Sequence, residues 1–240
     1  MRRFFSEKIE KPTVCIRGQE ARHMLRVLRM EAGDRFVLFD GSGYDYPCEI
    51  ESVGADYLVA LVGDAALSDR ELAVRITLYQ AMLKRDNMDF ILQKATELGI
   101  AEFVPVITAR CVKRPEDAGK LTEKFERTAK EAAKQCGRSK MPVIGELTDI
   151  KKLKDIIIKH ETVLLAYENA KIPIKKRLQT GLSRDIGLII GPEGGFEPEE
   201  AQVLTDAGAI DCSLGKLILR AETAALAAVS MVLYEKMEIE

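Results

Sequence analysis

The chain is poor in the residues that hold metals. It carries two histidines and five cysteines (Cys15, Cys48, Cys111, Cys136, Cys212), scattered and without a CxxC pair. Zinc-ligand spacing is absent, so no metal is expected, and reduced thiols in a cytoplasmic protein are the plain inference. No uninterrupted apolar run reaches the length that spans a bilayer, and no membrane partner is expected. The start, MRRFFSEKIEK, has no long apolar core and does not read as a signal peptide. Internal repeats and low-complexity tracts are missing. A net charge of −2 exerts no global pull toward nucleic acid, so such a partner must be met by a local patch. Neither GxGxxG nor the GxxxxGK-S/T phosphate loop occurs, which weakens the alternative of an α/β nucleotide-binding protein.

What is present first is a change of texture along 240 residues, a length that suits one or two domains. The first 68 residues carry short alternating runs, Arg35 to Asp40 and Tyr57 to Val62. Turn signals at Asp40-Gly41-Ser42-Gly43 and Val53-Gly54-Ala55-Asp56 separate them. That pattern predicts a small β-barrel or sheet module over 1–68. Residues 1–35 hold nine basic side chains against five acidic, whereas 36–68 hold six acidic and no Lys or Arg. Arg22, His23, Arg26 and Arg29 recur at helical spacing, with Met24, Leu25, Val27 and Leu28 to seat them. A basic face on a small β-module is a reasonable RNA footprint, and Arg2 and Arg3 are added to it. A charged face with no partner is the bland alternative. A second basic stretch, 113–140, has nine basic residues against five acidic.

After a linker near Ala66 to Glu71, residues 72–240 read as α/β. Strands are expected at Val74 to Met82, Phe103 to Ile107, Thr162 to Ala166, Ile186 to Ile190 and Ile210 to Leu214. A helix opening over Lys84-Arg85-Asp86-Asn87-Met88 puts Met88, Ile91, Leu92, Ala95 and Leu98 on one face before Gly99 stops it. Further helices are expected over 117–137 and from Ala221 to Met237, with one short helix in the connection 169–185. Strand–helix alternation implies a mainly parallel sheet covered on both faces. Two Gly turns, Gly191-Pro192-Glu193-Gly194-Gly195-Phe196 and Ser213-Leu214-Gly215-Lys216, each follow an apolar run. They fall where ligands bind in open α/β sheets, outside the carboxyl ends of the strands. Glycine lets the backbone approach a ligand closely, although it also simply makes tight turns. Phe196-Glu197-Pro198-Glu199-Glu200 reads as a helix start, and Gly208 as its stop.

The motifs taken in order resemble a known family. They are Arg22-His23 with Val27-Leu28-Arg29, Asp40-Gly41, Lys94 to Gly99 (KATELG), and Glu131 to Arg138 (EAAKQCGR). Ile190 to Phe196 (IGPEGGF) and Leu214-Gly215 through Ile218 to Ala224 (ILRAETA) complete the set. Together they resemble the RsmE-type enzymes of the SPOUT class of methyltransferases, which methylate N3 of a uridine in small-subunit (16S) ribosomal RNA with S-adenosylmethionine. Lys134, Cys136 and Cys111 stand where Glu, Ser and Ser are usual. The resemblance implies a trefoil-knotted domain, an N-terminal PUA-like RNA-binding barrel, a homodimer, and ribosomal RNA or the small subunit as partner.

It also implies a site. Gly191, Pro192, Gly194 and Gly215 would approach the cofactor through the backbone, with Leu165, Ala166, Leu214, Ile218 and Leu219 lining the pocket. A guanidinium is always charged and can hold a carbonyl oxygen in fixed geometry. Arg220 is the first choice to stabilise charge on the base and Arg138 the second; the bland alternative for Arg220 is an ion pair with Glu222. Glu193 is expected to cap the following helix rather than act as a base. Arg2, Arg3, Arg22, Arg26 and Arg29 would contact RNA phosphates. A non-catalytic RNA-binding protein is the remaining alternative, and the intact cofactor turns argue against it.

Overall fold

The computed structural model describes residues 1–84, 87–112, 114–179 and 184–239. Arg85 and Asp86 of the expected helix start, Lys113 of the second basic stretch and residues 180–183 of the connection lie outside them. The chain forms two compact units. Met1–Glu71 with Ala133–Met141 make the first, and Leu72–Ala132 with Pro142–Glu240 make the second.

The first unit is built on strands β1 (Arg2–Phe5), β2 (Thr13–Arg17), β3 (Arg35–Phe39), β4 (Tyr44–Val53), β5 (Tyr57–Val62) and β6 (Ala66–Leu67). They pair in the order β1-β3-β4-β5-β2, with β6 also on β4. Only β1 on β3 is parallel. Along β2, Val14 and Ile16 are buried while Thr13, Cys15 and Arg17 are exposed, the period-two pattern of a half-covered sheet. The covered face packs Phe4, Val14, Ile16, Phe36, Leu38, Ile50 and Leu58 into one core with Met24. Helix α1 (Gly18–Arg22) runs directly into a π-helical turn, His23–Val27.

Residues 133–141 fall inside the stretch expected to be wholly α/β. They join the first unit through polar contacts that have no sequence signature. Arg3 makes a two-pronged pair with Asp45 at 2.8 and 2.5 Å, and Ser139 hydrogen-bonds both partners. Arg138 pairs with Glu71 at 2.9 Å, and the other Glu71 oxygen accepts from the Lys140 N–H at 2.9 Å.

The second unit alternates strands and helices: β7 (Arg75–Ala81), α2 (Asn87–Glu97), β8 (Glu102–Ile107), α3 (Ala118–Cys136, its last turn counted with the first unit), β9 (Val143–Ile144), β10 (Thr148–Asp149) and α4 (Ile150–Ile157). It continues with β11 (Thr162–Ala166), α5 (Ile174–Leu178), β12 (Asp185–Ile190), α6 (Pro198–Asp206), β13 (Ile210–Cys212) and α7 (Ala221–Glu235). The strand order is β10-β8-β7-β12-β11-β13, with β9 also on β8, and every pairing is parallel.

Such a sheet is buried on both faces, which is why its strands read as near-continuous apolar runs. Ile76, Leu78, Leu164, Ile186, Leu188 and Ile190 face the cluster that contains the buried sides of α2 and α7. Tyr79, Val104, Val106, Val163, Leu165 and Ile189 face the other, with residues of α4 and α6. Small side chains let α7 lie close to its neighbours: Ala221, Ala225 and Ala228 are buried, and the helix packs on α2, β7 and β12.

Candidate cofactor pocket and RNA face

The carboxyl ends of β11, β12 and β13 open into one cavity of about 660 Å³ in the second unit. That volume lies within the range of sites for small molecules and cofactors. Its wall is made by the two Gly turns, by Ala166 at the end of β11 with Tyr167 and Glu168 after it, and by the first residues of α7. Ala166, Gly191, Pro192, Gly194, Leu214, Gly215, Ile218, Leu219 and Arg220, all expected there, line it together.

Leu165 does not. It is fully buried on the opposite face of the sheet, in the cluster with Ile189 and Phe196. Successive side chains of a strand point to opposite faces, so a neighbour of Ala166 on β11 turns away from it. Arg138 is likewise outside the lining. It lies buried in the first unit on Glu71. The sequence reading missed Tyr167, Glu168 and Asn87, which also line the cavity. Tyr167 and Glu168 directly follow the end of β11, and that position alone was a usable signal.

The glycines shape the wall for different reasons. At Gly191 a Cβ would press on the Phe196 ring at 3.0–3.4 Å, so the requirement there is internal packing. Gly215 has φ +148, and a Cβ there would meet nothing within 4 Å; its requirement is backbone conformation. Glu193 does not cap α6. Its carboxylate accepts from the Lys84 N–H at 3.0 Å. The cap is Glu197, in a reciprocal box with Glu200, and Pro198 begins the helix. Gly208 follows its end at φ +100.

From β8's carboxyl end a second loop reaches the same turn. Arg110 forks onto Glu197 at 2.9 and 3.1 Å and donates to the Gly194 carbonyl at 2.8 Å. Hydrogen bonding to Glu197 raises the Arg110 pKa, and the same bond lowers that of Glu197. Arg220 is exposed at the N-terminus of α7 and on the cavity wall. Among the described residues its side chain makes no hydrogen bond or ion pair, with Glu222 or any other group.

The basic segment of the first unit is helical but not one regular α-helix. Arg22, His23 and Arg26 are exposed along α1 and the π turn, and Arg29 is exposed beyond it at φ +52. Met24 is fully buried and anchors the segment, whereas Val27, expected to help, is 66% exposed. The π turn has more residues per turn than an α-helix, so the phase needed to turn Val27 inward is lost. Arg2 is exposed, donating to the Leu28 carbonyl at 3.3 Å. Arg3 departs from expectation: it is committed to Asp45 and Ser139 and does not present a free cation. Of the second basic stretch, Lys120, Lys124 and Lys134 pair with Asp117, Asp89 and Glu20. Among the described residues no group of three His, Cys, Asp or Glu side chains is placed to hold a metal. No helix there is long and apolar enough to cross a membrane.

Residues 70–233 match the family model of an RNA methyltransferase domain, and residues 16–62 that of an RNA methyltransferase PUA domain. The chain is 33% identical to ribosomal RNA small subunit methyltransferase E of Bacillus subtilis (strain 168), over 98% of this chain and 97% of that protein. A crystal structure of a ribosomal RNA small subunit methyltransferase E from Neisseria gonorrhoeae, bound to S-adenosyl methionine, superposes with a TM-score of 0.83. It is 30% identical and covers 98% of this chain and 97% of its own. A probable rRNA-methyltransferase from Porphyromonas gingivalis superposes with a TM-score of 0.87 at 30% identity, covering 99% of both chains. Coverage of this extent includes both units and both Gly turns, and the chain belongs to the RNA methyltransferase family in which ribosomal RNA small subunit methyltransferase E stands.

Proposed function

We propose that this protein transfers a methyl group from S-adenosylmethionine to N3 of a uridine in small-subunit ribosomal RNA. The observation that carries the reading is the single cavity in which both Gly turns and Arg220 meet. The residues fit the cofactor. The wall combines backbone exposed at glycines, apolar side chains for an adenine ring, and polar groups for the ribose and amino-acid portions. Ala166, Leu214, Ile218 and Leu219 would hold it with the Gly191–Gly194 and Gly215 backbone. When bound, S-adenosylmethionine supplies a methyl group already activated by its sulfonium.

The chain's own residues have two tasks. They orient the reactants, and they stabilise the negative charge that uracil acquires as N3 loses its proton. Arg220 is placed for the second, donating to a uracil carbonyl. Arg2, Arg22, Arg26 and Arg29 of the first unit bind RNA phosphates. Residues 1–68 form the RNA-binding barrel and 72–240 the transferase, with 133–141 folded into the first unit. The trefoil knot, the homodimer and a cytoplasmic location belong to the same reading.

Calorimetric titration with S-adenosylmethionine, NAD and ATP is the direct test, and only the first should bind. Mapping of modified uridines in ribosomal RNA from cells with and without the gene should show one 3-methyluridine lost. Loss of a different modification, or of none, would sink the assignment of N3.

A further inference from the structure

We propose that Arg110, which does not line the cavity, is a positioning residue that holds the Gly191–Glu197 loop in its cofactor-binding form. The inference rests on the cofactor reading of the cavity. The loop has glycine at 191, 194 and 195, so its backbone has more freedom than most and few side chains of its own to restrain it. Pro192 and Phe196 are buried and fix its two shoulders. Between them the Gly194–Gly195 peptide lines the cavity and has no side chain of its own. Its two ends are held nonetheless. The Gly195 N–H donates to the Pro192 carbonyl at 3.0 Å, and Arg110 Nη1 donates to the Gly194 carbonyl at 2.8 Å.

The rest of the guanidinium is spent on Glu197, through Nε at 2.9 Å and Nη2 at 3.1 Å. A planar fork on a carboxylate fixes direction as well as distance, which a lysine cannot do. Glu197 is in turn the cap of α6. The adjacent Ala109 N–H reaches Glu200 of that helix at 2.7 Å. The loop after β8 thus grips the cofactor turn and the helix behind it at three points. Arg110 packs so close that a Cβ at Gly194 would stand 3.3 Å from its side chain. Without the fork the Gly194 carbonyl loses its restraint and only the Gly195–Pro192 turn bond remains, so part of the binding free energy is used in ordering the loop.

The test is titration with S-adenosylmethionine in the absence of RNA, for the full-length protein and for Arg110→Ala, Arg110→Lys, Glu197→Gln and the double variant Arg110→Ala/Glu197→Gln. Arg110→Ala should weaken binding roughly two- to fivefold, the scale of a solvent-exposed charge-assisted pair. Arg110→Lys should recover part of the loss. The double variant should bind no worse than Arg110→Ala, because both changes break one clamp. The KM for cofactor should rise while kcat at saturating cofactor stays near that of the parent, and amide exchange should speed up at Gly194 and Gly195. Parent-like affinity in Arg110→Ala, or additive losses in the double variant, would overturn the inference while leaving the cofactor reading intact. An Arg110→Ala protein that binds cofactor normally but loses RNA would make Arg110 an RNA contact instead. Failure of the parent protein itself to bind S-adenosylmethionine would remove both.

Discussion

Arg220 bears most of the proposed chemistry. It stands at the start of α7, on the cavity wall, and among the described residues no carboxylate engages it. A donor that acts on charge developing in the transition state lowers turnover more than affinity when removed. Arg220→Ala should therefore fold and bind S-adenosylmethionine as the parent does, yet methylate about a hundred- to a thousandfold more slowly in single-turnover assays. Arg220→Lys should recover little, since a point charge lacks the planar fork. Near-parent single-turnover rates with a lowered melting temperature would instead make Arg220 a structural residue. Gly215 gives a second residue-scale test. Its φ of +148 is one that a β-branched residue rarely adopts, and the space around it is open. Gly215→Val should lose cofactor affinity through strain in the turn, readable by calorimetry. Unchanged affinity would show that this turn does not touch the cofactor.

At the scale of elements, legibility follows regular burial of apolar side chains, on both faces of the parallel strands and on one face of β5 and the helices. β11 and β5 have the expected limits, and β7, β8, β12, α3 and α7 fall within a residue or two of theirs, while the expected opening of α2 includes residues outside the described ones. A doubly covered strand is an apolar run bounded by turn residues, and β5 and the helices carry their own periods of two and 3.6. The same reasoning explains the misses. Leu165 is expected at the cavity from the family resemblance, and the nearly continuous apolar run of β11 does not say which face each side chain takes. α4 is eight residues long, too short for a periodic pattern to stand out, and β9 and β10 are two residues each. The tie between 133–141 and the first unit was invisible because it depends on Arg3, Asp45 and Ser139, which are far apart in sequence. That tie has a pH signature. Burial pushes the Asp45 pKa up, but hydrogen bonds from Arg3 and Ser139 and the Arg3 charge outweigh it and hold the carboxyl below its ordinary 3.8. The stabilisation is therefore complete above that ordinary value and is lost as pH falls through the depressed one. Asp45→Asn should be less stable than the parent at pH 7, with the gap narrowing in acid. Parallel stability curves across that range would show that the tie contributes nothing.

For the whole molecule the constraint is charge. At −2 overall, the protein cannot attract RNA by its net field, and binding must come from cations that are both exposed and uncommitted. The structure separates the arginines of the first segment on this criterion. Arg22, Arg26 and Arg29 are exposed, and Arg22 and Arg2 each donate only to a backbone carbonyl, whereas Arg3 is enclosed by Asp45 and Ser139. Each phosphate contact releases counterions, so removing one weakens binding and lowers the salt slope by roughly one. Arg22→Glu, Arg26→Glu and Arg29→Glu combined should thus weaken RNA binding and flatten its salt dependence by about three, with cofactor affinity unchanged. Arg3→Ala should do the reverse: it should lower the melting temperature, because it leaves the Asp45 carboxylate without its counter-charge inside the first unit, and leave the salt slope as it was. An unaltered slope in the triple variant would move the RNA face to the exposed cations of α3 and its flanks, where Arg127 is exposed and Arg114 borders a second cavity. A flattened slope in Arg3→Ala with stability retained would mean that its pairing with Asp45 gives way when RNA binds.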